Sequence, residues 1–430
     1  MTAPLALVFF WLLLLLGAGV WIGLALMAAG MISLSLFRDL PVAKLAAFDV
    51  WNSLNAPELV ALPMFILMGE ILFHTKLARN LFDGLSPWLG RIPGRLLHVN
   101  VLGCTLFAAV SGSSAATTAT IGRMTLGELK ARGYDMNLAM GSLCGAGTLG
   151  FLIPPSIILI LYGVLSETSI LALFLAGIVP GIALALAYMT YLGVRVWLNP
   201  ALQPSDDGEA TDWPARLAGL KLFAPVLFLI GAVLGSMYLG FAGPSEAAVI
   251  GVLGALLVGA AQKALSRENM RLALRSTVRT VSMIGLIITG ALFLTKAMAY
   301  LGLPAAVAGL AADLALGPLG LILALLIFYV ILGTFLDGLS VVVMTLPMAF
   351  PLVMAAGYDP VWFGIFLVIA VEMAQITPPV GFNLFVVQDL TGEPIGAIAR
   401  SALPFFLIMA AFVLLMALWP EVVHILAPGR

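Results

Sequence analysis

Two short polar interruptions, set at matching places in an otherwise apolar chain, constrain this fold most. The first joins Ser111-Gly112-Ser113-Ser114-Ala115-Ala116-Thr117 with Gly147-Thr148-Leu149-Gly150-Phe151-Leu152-Ile153-Pro154-Pro155-Ser156. The second joins Phe335-Leu336-Asp337-Gly338-Leu339-Ser340 with Gln375-Ile376-Thr377-Pro378-Pro379-Val380-Gly381-Phe382-Asn383. Around them the chain is 62% hydrophobic and 10% charged, with a mean hydropathy of +1.13. Soluble domains carry about 25% charged residues, so the chain reads as an all-α polytopic membrane protein. Irregular backbone at membrane depth survives only where protein buries it or where it lines a wet cavity. The breaks therefore mark a binding site.

A membrane crossing needs about 20 apolar residues. Nine segments qualify on that reading: 5–36, 56–74, 137–165, 170–198, 222–240, 245–262, 280–300, 361–388 and 402–419. Segments 97–110 and 115–126 are too short to span, and the Ser/Gly break lies between them. Segments 319–335 and 341–356 form a similar pair around Asp337-Gly338. Each pair reads as a re-entrant hairpin that turns at a polar tip and leaves on its own side.

Each hairpin is followed by Gly-Tyr-Asp, at Gly133-Tyr134-Asp135 and Gly357-Tyr358-Asp359, and then by a helix interrupted at Pro-Pro. The spacing agrees, since 154 − 133 and 378 − 357 both give 21. Tip, Gly-Tyr-Asp and Pro-Pro in one order describe an internal repeat. The loop after the first hairpin holds Arg123, Lys130 and Arg132, whereas the loop at 355–360 has no Lys or Arg. Under the positive-inside rule the hairpins enter from opposite faces, so the repeat is inverted. Arg38 and Lys44 fit a single long first helix poorly, and a break near 17–23 would make a helical hairpin there instead.

The resulting organisation is N-terminal scaffold spans (1–96), a first core with hairpin and broken helix (97–198) and a cytoplasmic linker (199–221). Scaffold spans with an Arg-rich cytoplasmic helix (222–318), a second core (319–401) and a C-terminal span (402–430) follow. The linker holds Asp206, Asp207, Glu209 and Asp212, which read as solvated. Arg267, Arg271, Arg275 and Arg279 form one helical stripe, read as a surface helix beside acidic lipid headgroups. A net charge of -1 leaves no basic surface for nucleic acid. Cys104 and Cys144 lie in apolar segments without metal-ligand spacing and read as packing residues. The first apolar run lacks a cleavage site and reads as a retained span.

In a broken helix the first N–H and last C=O groups have no partner within the helix. The N-terminal end suits a carboxylate, and the exposed carbonyls suit Na+. Ser and Thr add neutral oxygens, Gly admits close backbone approach, and Pro withholds donors so that the helix cannot re-form. Ser113, Ser114, Gly147 and Thr148 can thus build one cation site, and Asp337, Gly338, Thr377 and Gly381 another. Asp337 has two roles open to it, cation ligand or cap of the second hairpin arm. Asn383 can donate to a substrate carboxylate or satisfy a freed carbonyl. Glu70, Glu246 and Glu372 are functional candidates or packing braces, Lys296 reads as snorkelling, and Gly243-Pro244 reads as a capped turn.

Together, the stretches 111–117, 145–156, 243–247, 333–347 and 372–385 resemble the large membrane subunit of tripartite ATP-independent periplasmic (TRAP) transporters. The similarity runs over nearly the whole chain. It implies an elevator-type fold in the bacterial inner membrane. It also implies Na+-coupled uptake of an organic acid delivered by a periplasmic solute-binding protein, beside a small four-helix membrane subunit. Two or more Na+ ions would be co-transported, with no organic cofactor. By that resemblance Ser113 with Gly145, Gly147 and Thr148 would hold one Na+, and Asp337 and Gly338 with Thr377 and Gly381 another. Substrate would lie between the tips, at Ser113, Ser114, Thr117, Pro154, Asp337, Pro378 and Asn383. No arginine is near either tip, so helix ends and bound Na+ must supply the positive field.

Two other classes compete. An intramembrane aspartyl protease is echoed by Tyr134-Asp135 and Tyr358-Asp359, but its Gly-x-Gly-Asp partner is missing. A Ser protease would need a nearby His, while His74, His98 and His424 sit near membrane ends. A stand-alone Na+/dicarboxylate symporter of similar hairpin architecture is the closer rival.

Overall fold

The computed structural model describes residues 2–55, 57–205, 212–303, 309 and 317–426. Among them every extended regular element is a helix. In chain order the principal ones are α1 (Thr2–Gly17), α2 (Ile22–Phe37), α3 (Val42–Leu54), α4 (Ala61–Phe73), α5 (Leu77–Leu89) and α6 (Leu97–Ser111). Next come α7 (Ser114–Ala131), α8 (Met136–Thr148), α9 (Ile157–Ser166), α10 (Ile170–Leu198), α11 (Trp213–Tyr238) and α12 (Pro244–Ala261). The rest are α13 (Arg267–Tyr300), α14 (Pro318–Gly333), α15 (Gly338–Ala355), α16 (Pro360–Gln375), α17 (Phe382–Thr391) and α18 (Ile395–Leu418).

The helix pairs expected as hairpins are present, α6 with α7 and α14 with α15, and so are both broken helices, α8 with α9 and α16 with α17. Against expectation, α15 with its 18 residues is long and apolar enough by itself to cross a membrane. A shift of 224 residues superposes their signposts. The capping residues Ser113 and Asp337 differ by it, as do Asp135 and Asp359, and α7 and α15 are each 18 residues long. The Pro154-Pro155 and Pro378-Pro379 peptides are 224 apart as well, and both are cis. Packing follows the same correspondence. The second arm of each hairpin lies on the second half of the other repeat's broken helix, α7 on α17 and α15 on α9. Residues 138–148 of α8 and 362–375 of α16 are buried throughout, and these two half-helices form the centre. An apolar helix buried on all sides needs small residues where others cross it. A Cβ on Gly141 would meet the Ser401 carbonyl oxygen at 2.1 Å, and one on Gly145 would meet Phe405 at 2.6 Å.

The scaffold departs from the hydropathy reading in several places. Residues 5–36 are not one span: α1 and α2 separate at 18–21, with Gly19 at φ +76, and pack on one another. Segment 56–74 holds a 3-10 turn at Pro57–Val60 and then the 13 residues of α4, a rise of about 20 Å, and α5 leaves it bent by 70°. Helices α3 and α5 escaped notice because each buries one stripe only. In α3, Val42, Ala46, Asp49 and Ser53 are buried while Phe48 and Trp51 are exposed. The Arg stripe is no separate surface helix but the first part of α13, a continuous helix of 34 residues and about 51 Å. Lys296, read as snorkelling, keeps a half-exposed side chain and pairs with the buried Asp49 of α3. The linker is shorter than expected, because α11 begins at Trp213, and Asp206, Asp207 and Glu209 lie outside the described residues. The final span begins at Ile395, not at 402.

Candidate functional site

Each tip is a helix start whose exposed N–H groups a side chain caps. At the first, α6 ends on Gly112 in the left-handed region at φ 60, and Ser113 Oγ accepts from Ala116 N at 3.4 Å. Ser111 Oγ reaches Thr117 Oγ1 at 2.8 Å, closing the tip on itself. At the second, Asp337 is half-buried and accepts from Ser340 N at 3.3 Å and from the Ser340 hydroxyl. Of its two possible roles, the cap is the one visible in its contacts.

The tips and breaks meet. A Cβ on Gly150 would lie 2.9 Å from the Ser113 carbonyl, so the first break runs directly along the first tip. One on Gly112 would lie 3.2 Å from the Pro155 carbonyl oxygen. The second tip reaches across the repeats: a Cβ on Gly338 would lie 2.9 Å from Phe151 of the first break and 3.3 Å from Ile158 of α9. Asn383, just beyond the second break, is fully buried and bonds to the Ser114 hydroxyl at 2.9 Å. Its amide also approaches the Cys144 carbonyl at 3.4 Å.

The remaining expected residues divide. Thr148 is buried and donates to the Gly145 carbonyl at 2.8 Å. Gly147 lies against Thr118 of α7, a neighbour with no sequence signal. Gly145 faces Phe405 of α18, away from the tip. Thr377 Oγ1 donates to Met373 O at 2.7 Å. Gly381, at φ +33, packs its Cα beside the Gln375 and Thr377 carbonyls, where a side chain would not fit. The two breaks differ in exposure, Pro154 being buried and Pro378 exposed. α10 explains the first: Gly177 closes over it with a Cβ position 2.6 Å from Leu152 O.

A cavity of about 370 Å³ opens where these parts converge. Ser111, Gly112 and Ser113 of the first tip, Phe151 of the first break and Leu339 of the second tip form one wall. Glu70 of α4 and Ser276 and Thr280 of α13 form the other, with Ser276 donating to Glu70 at 2.5 Å. No Lys or Arg is among the lining residues. The scaffold wall was missed because its polar groups lie far away in sequence; only Glu70 carried a signal, as an acid in an apolar segment. A groove of about 390 Å³ beside His98 and Trp197 is mostly apolar and touches neither break.

Three sequence suspicions resolve structurally. Asp135 caps α8 through Leu138 N at 2.8 Å, and Asp359 caps α16 through Val361 N at 2.8 Å, which gives each a structural role. Glu246 accepts from Gly243 N at 2.5 Å, the capped turn expected there. Cys104 and Cys144 are buried free thiols.

Residues 8–422 match the family model described as "Tripartite ATP-independent periplasmic transporter, DctM component". The chain is 34% identical over 401 residues to the C4-dicarboxylate TRAP transporter large permease protein DctM of Pseudomonas aeruginosa, covering 92% of this chain and 91% of that one. It is 29% identical over 417 residues to the sialic acid TRAP transporter large permease protein SiaM of Vibrio cholerae, covering 96% of each. Against the isethionate TRAP transporter permease protein DctMQ of Oleidesulfovibrio alaskensis it is 30% identical over 430 residues, 97% of this chain but 66% of that longer protein. Among solved structures, the Alcanivorax borkumensis YdaH transporter matches in fold, with TM-score 0.62 at 14% identity, covering 93% of this chain and 97% of that one.

Proposed function

The chain belongs to the DctM component family of tripartite ATP-independent periplasmic transporters, and on that premise we propose that it carries out Na+-coupled uptake of a small organic acid. It is a multi-pass protein of the bacterial inner membrane, and its named relatives are transporter permeases, not enzymes. The observation that carries the proposal is the cavity of about 370 Å³ at which both hairpin tips converge. That volume lies within the usual range for small-molecule sites, about 300–1,000 Å³.

In this reading the substrate carboxylate lies against the N-terminal ends of α7 and α15, where unpaired N–H groups and the helix dipoles favour negative charge. Na+ ions sit behind it. One is held at Ser113 with Gly147 and Thr148, the other at Asp337 and Gly338 with Thr377 and Gly381. With no basic side chain in the cavity wall, those ions supply the positive field and couple substrate to Na+. The core of hairpins and broken helices then moves as a body against α4 and α13. Substrate arrives from a periplasmic solute-binding protein. A small four-helix membrane subunit completes the assembly; we read the extra length of the DctMQ relative as that subunit joined in one chain.

Reconstitution tests this directly. Vesicles holding this chain and the small subunit should take up an organic acid only with external Na+ and the binding protein. Uptake by this chain alone would favour the stand-alone symporter. Uptake indifferent to Na+ would overturn the coupling.

A further inference from the structure

Where α16 passes the first break, three fully or almost fully buried polar side chains have no hydrogen-bond partner in the protein. They are Glu372, through both carboxyl oxygens, the Gln375 amide nitrogen and the Tyr188 hydroxyl of α10. The Leu152 N–H of the first break, which donates to Leu149 O at 3.2 Å, also faces the Glu372 carboxyl, and the Tyr188 hydroxyl lies near that carboxyl. From the other side α10 presses on the same residue, through the approach of Gly177 to Leu152 O.

The groups around the carboxyl are mainly donors. The Gln375 amide nitrogen only donates, the Leu152 N–H is shared with Leu149 O, the Tyr188 hydroxyl can donate or accept, and the carboxyl accepts. N–H groups repel a metal ion, so the cluster does not suit Na+. A water molecule suits it, since buried waters make two to four bonds to otherwise unsatisfied groups. Unpartnered buried polar atoms in a well-packed interior are the usual mark of such a molecule. The 224-residue correspondence sharpens the point. The counterpart of Glu372 is Thr148 (372 − 148 = 224), whose hydroxyl is satisfied within its own helix by Gly145 O. The carboxyl therefore reaches from the second repeat to the first, whereas its counterpart Thr148 does not reach back.

We infer that Glu372 is a positioning residue for the first break. Through one bound water shared with Tyr188, its carboxyl holds the Leu152 backbone of one repeat against α16 of the other. The first break runs along the first tip at Gly150 and Ser113, so its shape sets the placement of Ser113 and Ser114. Glu372 thus acts on the tip without touching ion or substrate.

Two measurements on the full-length protein in lipid test this, and only the second rests on the proposed function. Amide hydrogen exchange is read over 149–153 in Glu372→Leu, Glu372→Gln and Tyr188→Phe. Exchange there should rise about tenfold in the Leu variant and less in the others, with 376–381 unchanged. The Glu372→Leu, Tyr188→Phe double variant should exceed the single Leu variant little, because both remove one shared water. Should Glu372→Leu fail to fold, Glu372→Gln and Tyr188→Phe carry the same comparison. Unchanged exchange at 149–153, or fully additive effects, would overturn the inference. In uptake, Glu372→Gln should raise half-saturating Na+ by about fivefold while the maximal rate stays within about twofold, and Glu372→Asp should recover part of it. A wild type that ignores Na+ refutes the coupling alone, and the exchange result still decides the role of Glu372.

Discussion

At Asp337 two demands fall on one carboxylate. It caps α15 through Ser340, and in the proposed mechanism it also supplies a charged oxygen to Na+. Asn and Asp are equally good caps, whereas Ala loses the cap at a cost of about 0.5–2 kcal/mol. Asp337→Asn should therefore fold like wild type yet need on the order of tenfold more Na+, since bonds to a charged group are worth about 1.5–3 kcal/mol. Asp337→Ala should abolish Na+ activation and lower thermal stability too. Vesicle uptake over a Na+ series, with a melting curve for each variant, separates the two; unchanged Na+ activation in both excludes Asp337 as a ligand. Asp135 and Asp359 give the contrast. As caps, with Asp359 also 3.7 Å from His424 Nε2, they should tolerate Asn with transport retained, and a loss of transport in either would reopen a chemical role. Ser114 and Asn383 form a bond between repeats. Polar pairs inside membrane proteins average about 0.6 kcal/mol, so a double-mutant cycle to Ala should show coupling of that order.

Among the elements, the broken helices behave as rigid half-helices fixed by close crossings. Water drives no association inside a bilayer, so small residues and tight packing must do it. Gly141 is the sharpest case: the atom its Cβ would meet is a backbone oxygen of α18, which cannot swing aside. Gly141→Leu should part α8 from α18 and cost roughly 1–3 kcal/mol or more. Gly231→Ala on α11, with nothing within 4 Å of its Cβ, should be neutral. Monomer recovery after heating in detergent compares them, and equal recovery would show that this crossing adds nothing. The hairpins themselves were legible because their tips hold Ser, Gly and Asp inside apolar runs. The amphipathic α3 and α5 were not, since hydropathy averages a buried stripe with an exposed one.

For the molecule as a whole, the cavity is a seam between two bodies. One wall belongs to the tips and first break, the other to α4 and α13. Gly69 of α4 lies at the seam, with a Cβ position 3.1 Å from Val110 O of the first hairpin. In the proposed mechanism the core moves along this seam and carries its bound charge through the membrane field. If bound Na+ outnumbers the substrate's charges, each net charge gains about 2.3 kcal/mol per 100 mV. Uptake into vesicles should then rise with an inside-negative potential set by a K+ gradient; uptake indifferent to that potential would argue for neutral stoichiometry.

Much of this protein was legible in its residues taken in order. Apolar run length marked most spans, polar tips marked the hairpins, and Gly-Tyr-Asp with Pro-Pro marked the repeat, because each is a local consequence of solvating backbone in a bilayer. Contacts between distant residues were not legible. The pairing of Lys296 with Asp49, the bond from Asn383 to Ser114, the scaffold wall of Glu70 and Ser276, and the cluster around Glu372 arise only when helices pack. Hydropathy reports how one segment partitions into lipid; which polar groups then meet is decided by the crossing of helices, and no single segment encodes that.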